Sequence, residues 1–168
     1  MMGSDPIHNP TQQRESIREG RVWPPMRIRR EVLDAILTHA RCDSPQECCG
    51  LLIGNQREIV EAVPTANTAA EPLRRYQVSP LEHLAQVKRC RELTARGGAG
   101  VHVVGAYHSH PRNAPTPSTS DLEEAFEQFL FIIAGPADSS SELEVRGYRL
   151  RAGTFEEIQL TPIPIGEV

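Results

Sequence analysis

The sequence predicts a single α/β domain built on a mixed β-sheet flanked by helices, and three observations carry that reading. Helices alternate with strands in the early part of the chain, two short apolar runs have the composition of buried strands, and strand-like segments dominate the C-terminal part. At 168 residues the chain is long enough for one domain with a substantial core and too short for two of ordinary size.

Residues 1–22 are polar, mixed in charge and without apolar periodicity, so a flexible leader is expected there and the folded domain at 23–168. From Arg29 to Arg41 the apolar residues Leu33, Ile36, Leu37 and Ala40 recur at helical spacing, and Asp43, Ser44 and Pro45 end this first helix. Cys48 to Gly54 is a continuous apolar run bounded by glycine and Asn55, the signature of a strand buried on both faces, with Arg57 to Val63 as its neighbour. Tyr76-Gln77-Val78 reads as a short strand. Ser79-Pro80-Leu81-Glu82 then supplies an N-cap, a proline at the first helical position and a capping-box glutamate, opening a second helix to about Ala95.

Gly97-Gly98-Ala99-Gly100 stops that helix, and Val101 to His110 follows as a central strand. A third helix is expected from Asp121 to about Gln128. After it come strand-like segments at Leu130 to Ala134, Leu143 to Arg151 and Phe155 to Leu160, with a turn at 139–141.

Lysine and arginine number 18 against 22 acidic residues, a formal net charge of −4, which gives no electrostatic reason to expect nucleic acid as a partner. No apolar run approaches the roughly 20 residues needed to cross a bilayer, and the N-terminal stretch lacks the apolar core of a secretory signal; a soluble cytoplasmic protein is expected. Cys42, Cys48, Cys49 and Cys90 have neither zinc-ribbon spacing nor the density of a disulfide scaffold, so reduced, mostly buried thiols are expected.

Alternate residues on a strand point to one face, so His108 and His110 project together, their Cα atoms roughly 7 Å apart. Alone, such a pair is better explained by hydrogen-bonded polar side chains on a strand face. Pro111, Pro115 and Pro117 stiffen the connection that follows, and a stiff loop holds a third ligand near the pair at lower entropic cost. Asp121, expected in the first turn of the third helix, is favoured there as an ionised carboxylate by the helix dipole. Two histidines and one carboxylate leave the fourth tetrahedral position open, as catalytic zinc sites do. Ser118-x-x-Asp121 also reads as an ordinary helix cap, and the two readings are compatible, because a hydroxyl that accepts a capping bond still has a proton to donate.

Glu47 stands just before a buried strand, His108-Ser109-His110-Pro111 follows, and seven residues separate His110 from Ser118, with two more before Asp121. This arrangement resembles the full signature of the JAMM (MPN+) metallopeptidase family, and the segments Pro45 to Gly54, Arg75 to Pro80 and Gly153 to Ile158 are similar to those of its small stand-alone bacterial members. The resemblance covers about residues 26 to 160. It implies a cytidine-deaminase-like fold with a curved mixed sheet. It also implies one Zn²⁺ per chain on His108, His110 and Asp121, Glu47 as general base, and Ser118 as a hydroxyl donor to a developing oxyanion. The substrate class implied is a ubiquitin-like or sulfur-carrier protein, cut at a peptide or isopeptide bond after its Gly-Gly tail.

Other readings make different demands. A noncatalytic MPN scaffold commonly lacks a metal ligand, whereas here each is present. A RadC-like domain typically reads His-Asn-His-Pro where this chain has Ser109. A nucleoside deaminase would require His-x-Glu and Pro-Cys-x-x-Cys, both absent. His8, His39, His83 and His102 are expected to be structural or solvated.

Overall fold

The computed structural model describes residues 22–98, 100–137 and 142–164. The expected leader therefore lies, up to residue 21, outside the described residues, as does the expected turn at 139–141.

Eight strands form one mixed sheet in the order β7-β6-β5-β4-β2-β3-β1-β8. They are β1 (Met26–Arg29), β2 (Cys49–Gly54), β3 (Glu58–Thr65), β4 (His102–Ser109), β5 (Leu130–Pro136), β6 (Leu143–Arg151), β7 (Thr154–Ile158) and β8 (Leu160–Ile163). The helices are α1 (Arg30–Asp43), α2 (Pro80–Ala95) and α3 (Thr119–Glu123). Parallel pairs join β1 to β3 and β8, and β4 to β5, while the remaining neighbours are antiparallel.

The sheet is curved, as expected, and its connectivity requires this. Strands β7 and β8 occupy opposite edges yet are joined by Gln159 alone. Laid flat, eight strands would separate those edges by roughly 30 Å, whereas one linking residue spans about 7 Å. The sheet must roll until its edges approach. Gln159 also ties the seam to the first strand, its carbonyl accepting the Met26 N–H at 2.9 Å.

Helix α1 packs on the sheet through Val32, Ile36 and Ala40, with Leu33 partly buried beside them, so the apolar stripe is rotated slightly from the expected Leu33-Ile36-Leu37-Ala40. These residues share the main core with Ile28, Leu52, Ile59, Leu130 and Ile132. A hydrogen bond of 2.8 Å between His39 Nδ1 and the Tyr107 hydroxyl joins α1 to β4. His39 is thus structural, as expected.

Helix α2 has the expected bounds and N-cap, Ser79 Oγ accepting the Glu82 N–H. The capping-box glutamate behaves differently: Glu82 Oε2 accepts the Ala66 N–H at 3.2 Å and so ties the helix start to the end of β3. Three further expectations need correction. Tyr76 to Val78 contributes one isolated bridge, Asn67 to Val78, and no strand. The segment Phe155 to Leu160 is two strands divided at Gln159. Helix α3 ends at Glu123, because the chain beyond it is drawn to the end of β6 by a Glu127–Leu150 bridge and by Arg149 Nη1 donating to the Gln128 carbonyl at 2.6 Å.

Candidate metal centre and active site

Strand β4 runs through the middle of the sheet between β2 and β5, and the backbone N–H of His110, one residue past its end, donates to the Ala134 carbonyl at 2.7 Å. The alternation of β4 sends His108 and His110 to the same side, and both are buried. Asp121, also buried, approaches from α3.

The three side chains converge. His108 Nε2 lies 3.0 Å from His110 Nε2. Asp121 Oδ1 is 3.2 Å from His108 Nε2, and Asp121 Oδ2 is 3.5 Å from His110 Nε2. The edges of a tetrahedron with bonds near 2.0–2.1 Å are about 3.3 Å. The two Asp121 distances are to different oxygens; with one ligand atom taken from each residue the three lie within 4.8 Å of one another, close enough to be gathered around a zinc-sized ion by small side-chain adjustments, and among the described residues this is the group that could hold a metal.

The electrostatics suit a cation. Burial pushes the Asp121 carboxyl up, but hydrogen bonds from His108 and His110 outweigh it and hold the group well below the usual carboxylate range. Burial lowers the His108 pKa despite Asp121, leaving its imidazole neutral, the form that binds metal. Burial likewise opposes charge on His110, yet Asp121 and the Ala114 carbonyl raise its pKa on balance. The carboxylate was expected to be held ionised by a helix dipole. Because α3 is a single turn, the neighbouring imidazoles and Ser118 take that part instead.

Glu47 is buried just before β2 and lines a cleft of about 460 Å³ with His110 and Ser118. Burial raises its carboxyl to about 7, His110 pulling the value down and Asp121 pushing it up. Its backbone is held on both sides, the Glu47 N–H donating to the Pro72 carbonyl at 2.8 Å and the Glu47 carbonyl accepting from Asn67 Nδ2 at 2.9 Å. Next to it, Ser109 Oγ accepts the Cys48 N–H at 2.9 Å and fixes the Glu47 segment to the exit of β4.

Ser118 caps α3 in the capping box that its spacing predicts. Its hydroxyl accepts the Asp121 N–H and donates its proton to Asp121 Oδ2 at 2.7 Å. To serve a substrate oxygen, that proton must turn away from Asp121.

The sequence pattern described as "Prokaryotic homologs of the JAB domain" matches residues 29–149. The chain belongs to this family. A desampylase of Haloferax volcanii is 37% identical to this JAB-domain protein over 70% of the chain and 86% of the relative. A probable TtuB-protein conjugate cleaving protease of Thermus thermophilus is 30% identical over 64% of the chain and 68% of the relative. A CysO-cysteine peptidase of Mycobacterium tuberculosis is 29% identical over 84% of the chain and 92% of the relative. The fold is shared with a Desulfitobacterium hafniense protein solved in solution, at TM-score 0.70 and 24% identity, covering 83% of this chain and 93% of that one. These relatives set the JAB-domain protein among peptidases.

Two residues at the site escaped the sequence reading. Tyr76 stacks on His108, ring centroids 4.1 Å apart and planes 14° from parallel. That contact matters because His108 Nδ1 is buried without a hydrogen-bond partner, whereas His110 Nδ1 is oriented by the Ala114 carbonyl at 3.1 Å. Asn67, the second, accepts the N–H groups of Ala69 and Gln77 and so shapes the loop that covers Glu47. A tyrosine inside Arg75-Tyr76-Gln77-Val78-Ser79-Pro80 was the available signal for the first; Asn67 carried none. The four cysteines are free, with Cys48, Cys49 and Cys90 buried as expected and Cys42 exposed. Burial pushes the Cys48 thiol up to about 11. No helix among the described residues is long and apolar enough to cross a membrane.

Proposed function

We propose that this JAB-domain protein is a zinc-dependent peptidase that hydrolyses the peptide or isopeptide bond after the C-terminal Gly-Gly of a ubiquitin-like or sulfur-carrier protein. One Zn²⁺ per chain is held by His108, His110 and Asp121. The observation that carries this reading is the convergence of those three buried side chains, one ligand atom of each within 4.8 Å of the others, beside a cleft that contains Glu47.

When bound, zinc supplies the charge that makes water acidic near neutral pH and polarises a carbonyl. Glu47 takes the proton of the attacking water and returns it to the leaving nitrogen, a role suited to a carboxyl tuned close to neutrality. Ser118 redirects its hydroxyl from Asp121 to the carbonyl oxygen as negative charge builds there. Losing such a donor typically costs on the order of 10²–10³ in rate.

Relatives support the substrate class: one is named for TtuB-protein conjugates and another for CysO-cysteine. A net charge of −4 favours a protein substrate over nucleic acid. A cytoplasmic setting fits the four free cysteines.

The test is cleavage of a ubiquitin-like carrier extended beyond its Gly-Gly tail, with bound metal quantified in each preparation. Zinc-loaded wild type should cleave it, Glu47→Gln should keep its zinc and lose turnover, and Asp121→Ala should lose most of its zinc. Equal zinc loss in both variants would overturn the role given to Glu47. No cleavage by fully loaded wild type would overturn the substrate class.

A further inference from the structure

Two depressions adjoin the site and share no lining residue. One is an apolar trough lined by Tyr76, Val78, Phe126, Phe129 and Phe131, which reaches the site at the Tyr76 ring stacked on His108. The other is the cleft that holds Glu47, and its walls also carry Arg74, Arg112 and Asn113.

The base determines which side serves which half of a substrate. A carboxylate that returns its proton to the leaving nitrogen must stand beside that nitrogen, so the leaving residue occupies the depression containing Glu47. That depression is cationic at its wall in a chain whose net charge is −4. Among the described residues neither Arg74 nor Arg112 has a carboxylate within ion-pair distance, whereas Arg29, Arg89 and Arg151 are paired with Glu58, Glu61 and Glu156.

From this juxtaposition we infer that Arg74 and Arg112 form a carboxylate-reading subsite for the leaving residue, making the enzyme selective for a short C-terminal extension with a free α-carboxylate. An α-carboxylate lies one carbon from the leaving nitrogen and so falls on the same side of the scissile bond as the base. A lysine side chain as leaving group presents only methylenes there and offers the arginines nothing. Guanidinium forks match carboxylate geometry, and such charge-assisted bonds exceed neutral ones in strength.

The inference takes its orientation from the peptidase reading, but it can be measured without turnover. Fluorescently labelled peptides ending in Gly-Gly-Ala with a free carboxylate, Gly-Gly-Ala amide and Gly-Gly-Glu amide are titrated onto zinc-loaded Glu47→Gln protein, which keeps the probes intact. The free acid should bind about tenfold more tightly than the alanine amide. Adding Arg74→Gln or Arg112→Gln should reduce that ratio towards one, and Arg112→Glu should reverse it, a gain that general damage cannot produce. Equally tight binding of the glutamate amide would overturn the selectivity for the α-carboxylate. Equal binding of all three probes would overturn the inference. Cleavage of the free-acid peptide by protein retaining Glu47 is measured in parallel. Its failure with the binding preference intact would count against the peptidase reading alone.

Discussion

Glu47 illustrates how a site residue is maintained against its own stability. Its carboxyl is raised from 4.5 to about 7, so between those values the unfolded chain gives up its proton first and stability falls as pH rises. The contribution is fully present below pH 4.5 and lost through pH 7. Metal-free Glu47→Gln should therefore match wild type near pH 4.5 and exceed it at pH 8 by roughly 1–3 kcal/mol, read from urea midpoints at the two pH values. A wild type equally stable or more stable at pH 8 would contradict the burial argument. Tyr76 makes a separate prediction at this scale. With His108 Nδ1 unpartnered, the stacked ring is what orients the imidazole. Tyr76→Phe should keep zinc affinity, while Tyr76→Ala should weaken it about tenfold in a chelator competition, in line with the loss of other orienting groups around metals.

At the scale of elements, the pairing of β4 with β5 leaves no room for a side chain at Gly105. A Cβ at Gly105 would stand 2.1 Å from the Leu130 carbonyl oxygen, a backbone atom in the parallel partner β5. Gly105→Ala should separate β4 from β5 and cost on the order of 1–3 kcal/mol, with lower zinc occupancy, because His108 and the His110 backbone are positioned by the same pairing. Thermal unfolding and metal content measured on one sample would test both effects. The elements also explain what the sequence made legible. Strands β2 and β5 are continuous apolar runs whose pattern decides them, β4 has the apolar stretch Val103 to Tyr107 between its histidines, and the Ser79-Pro80 cap announces α2. Strand β1 is four residues with two arginines, and only its parallel partners β3 and β8 identify it. Helix α3 is shorter than the expected Asp121 to Gln128 because the turn at Gln128, with φ of 63°, is set by contact with β6, a distant segment. The site followed the same division. Ligand spacing was local to β4 and the proline-stiffened loop, and hence readable; the Tyr76 stack and the Asn67 loop depend on distant segments meeting.

For the whole molecule, the controlling fact is the roll of the sheet. Single-residue closure at Gln159 holds β7 and β8 across the seam, so lengthening the link should be costly even where no side chain is lost. Inserting six glycine and serine residues beside Gln159 should reduce stability by about 1–2 kcal/mol through the added closure entropy, measurable as a lower urea midpoint with an unchanged slope. An unaltered midpoint would mean that strand pairing alone fixes the roll. The seam also imposes an order in time. Met26 pairs with Leu160, so among the described residues the first strand to leave the ribosome waits for the last before its outer edge is covered. By then both histidines and Asp121 have long been synthesised, yet the sheet around them is still incomplete. A nascent chain thus carries the parts of a cutting tool through translation without the finished shape that would let them act on the carriers around it.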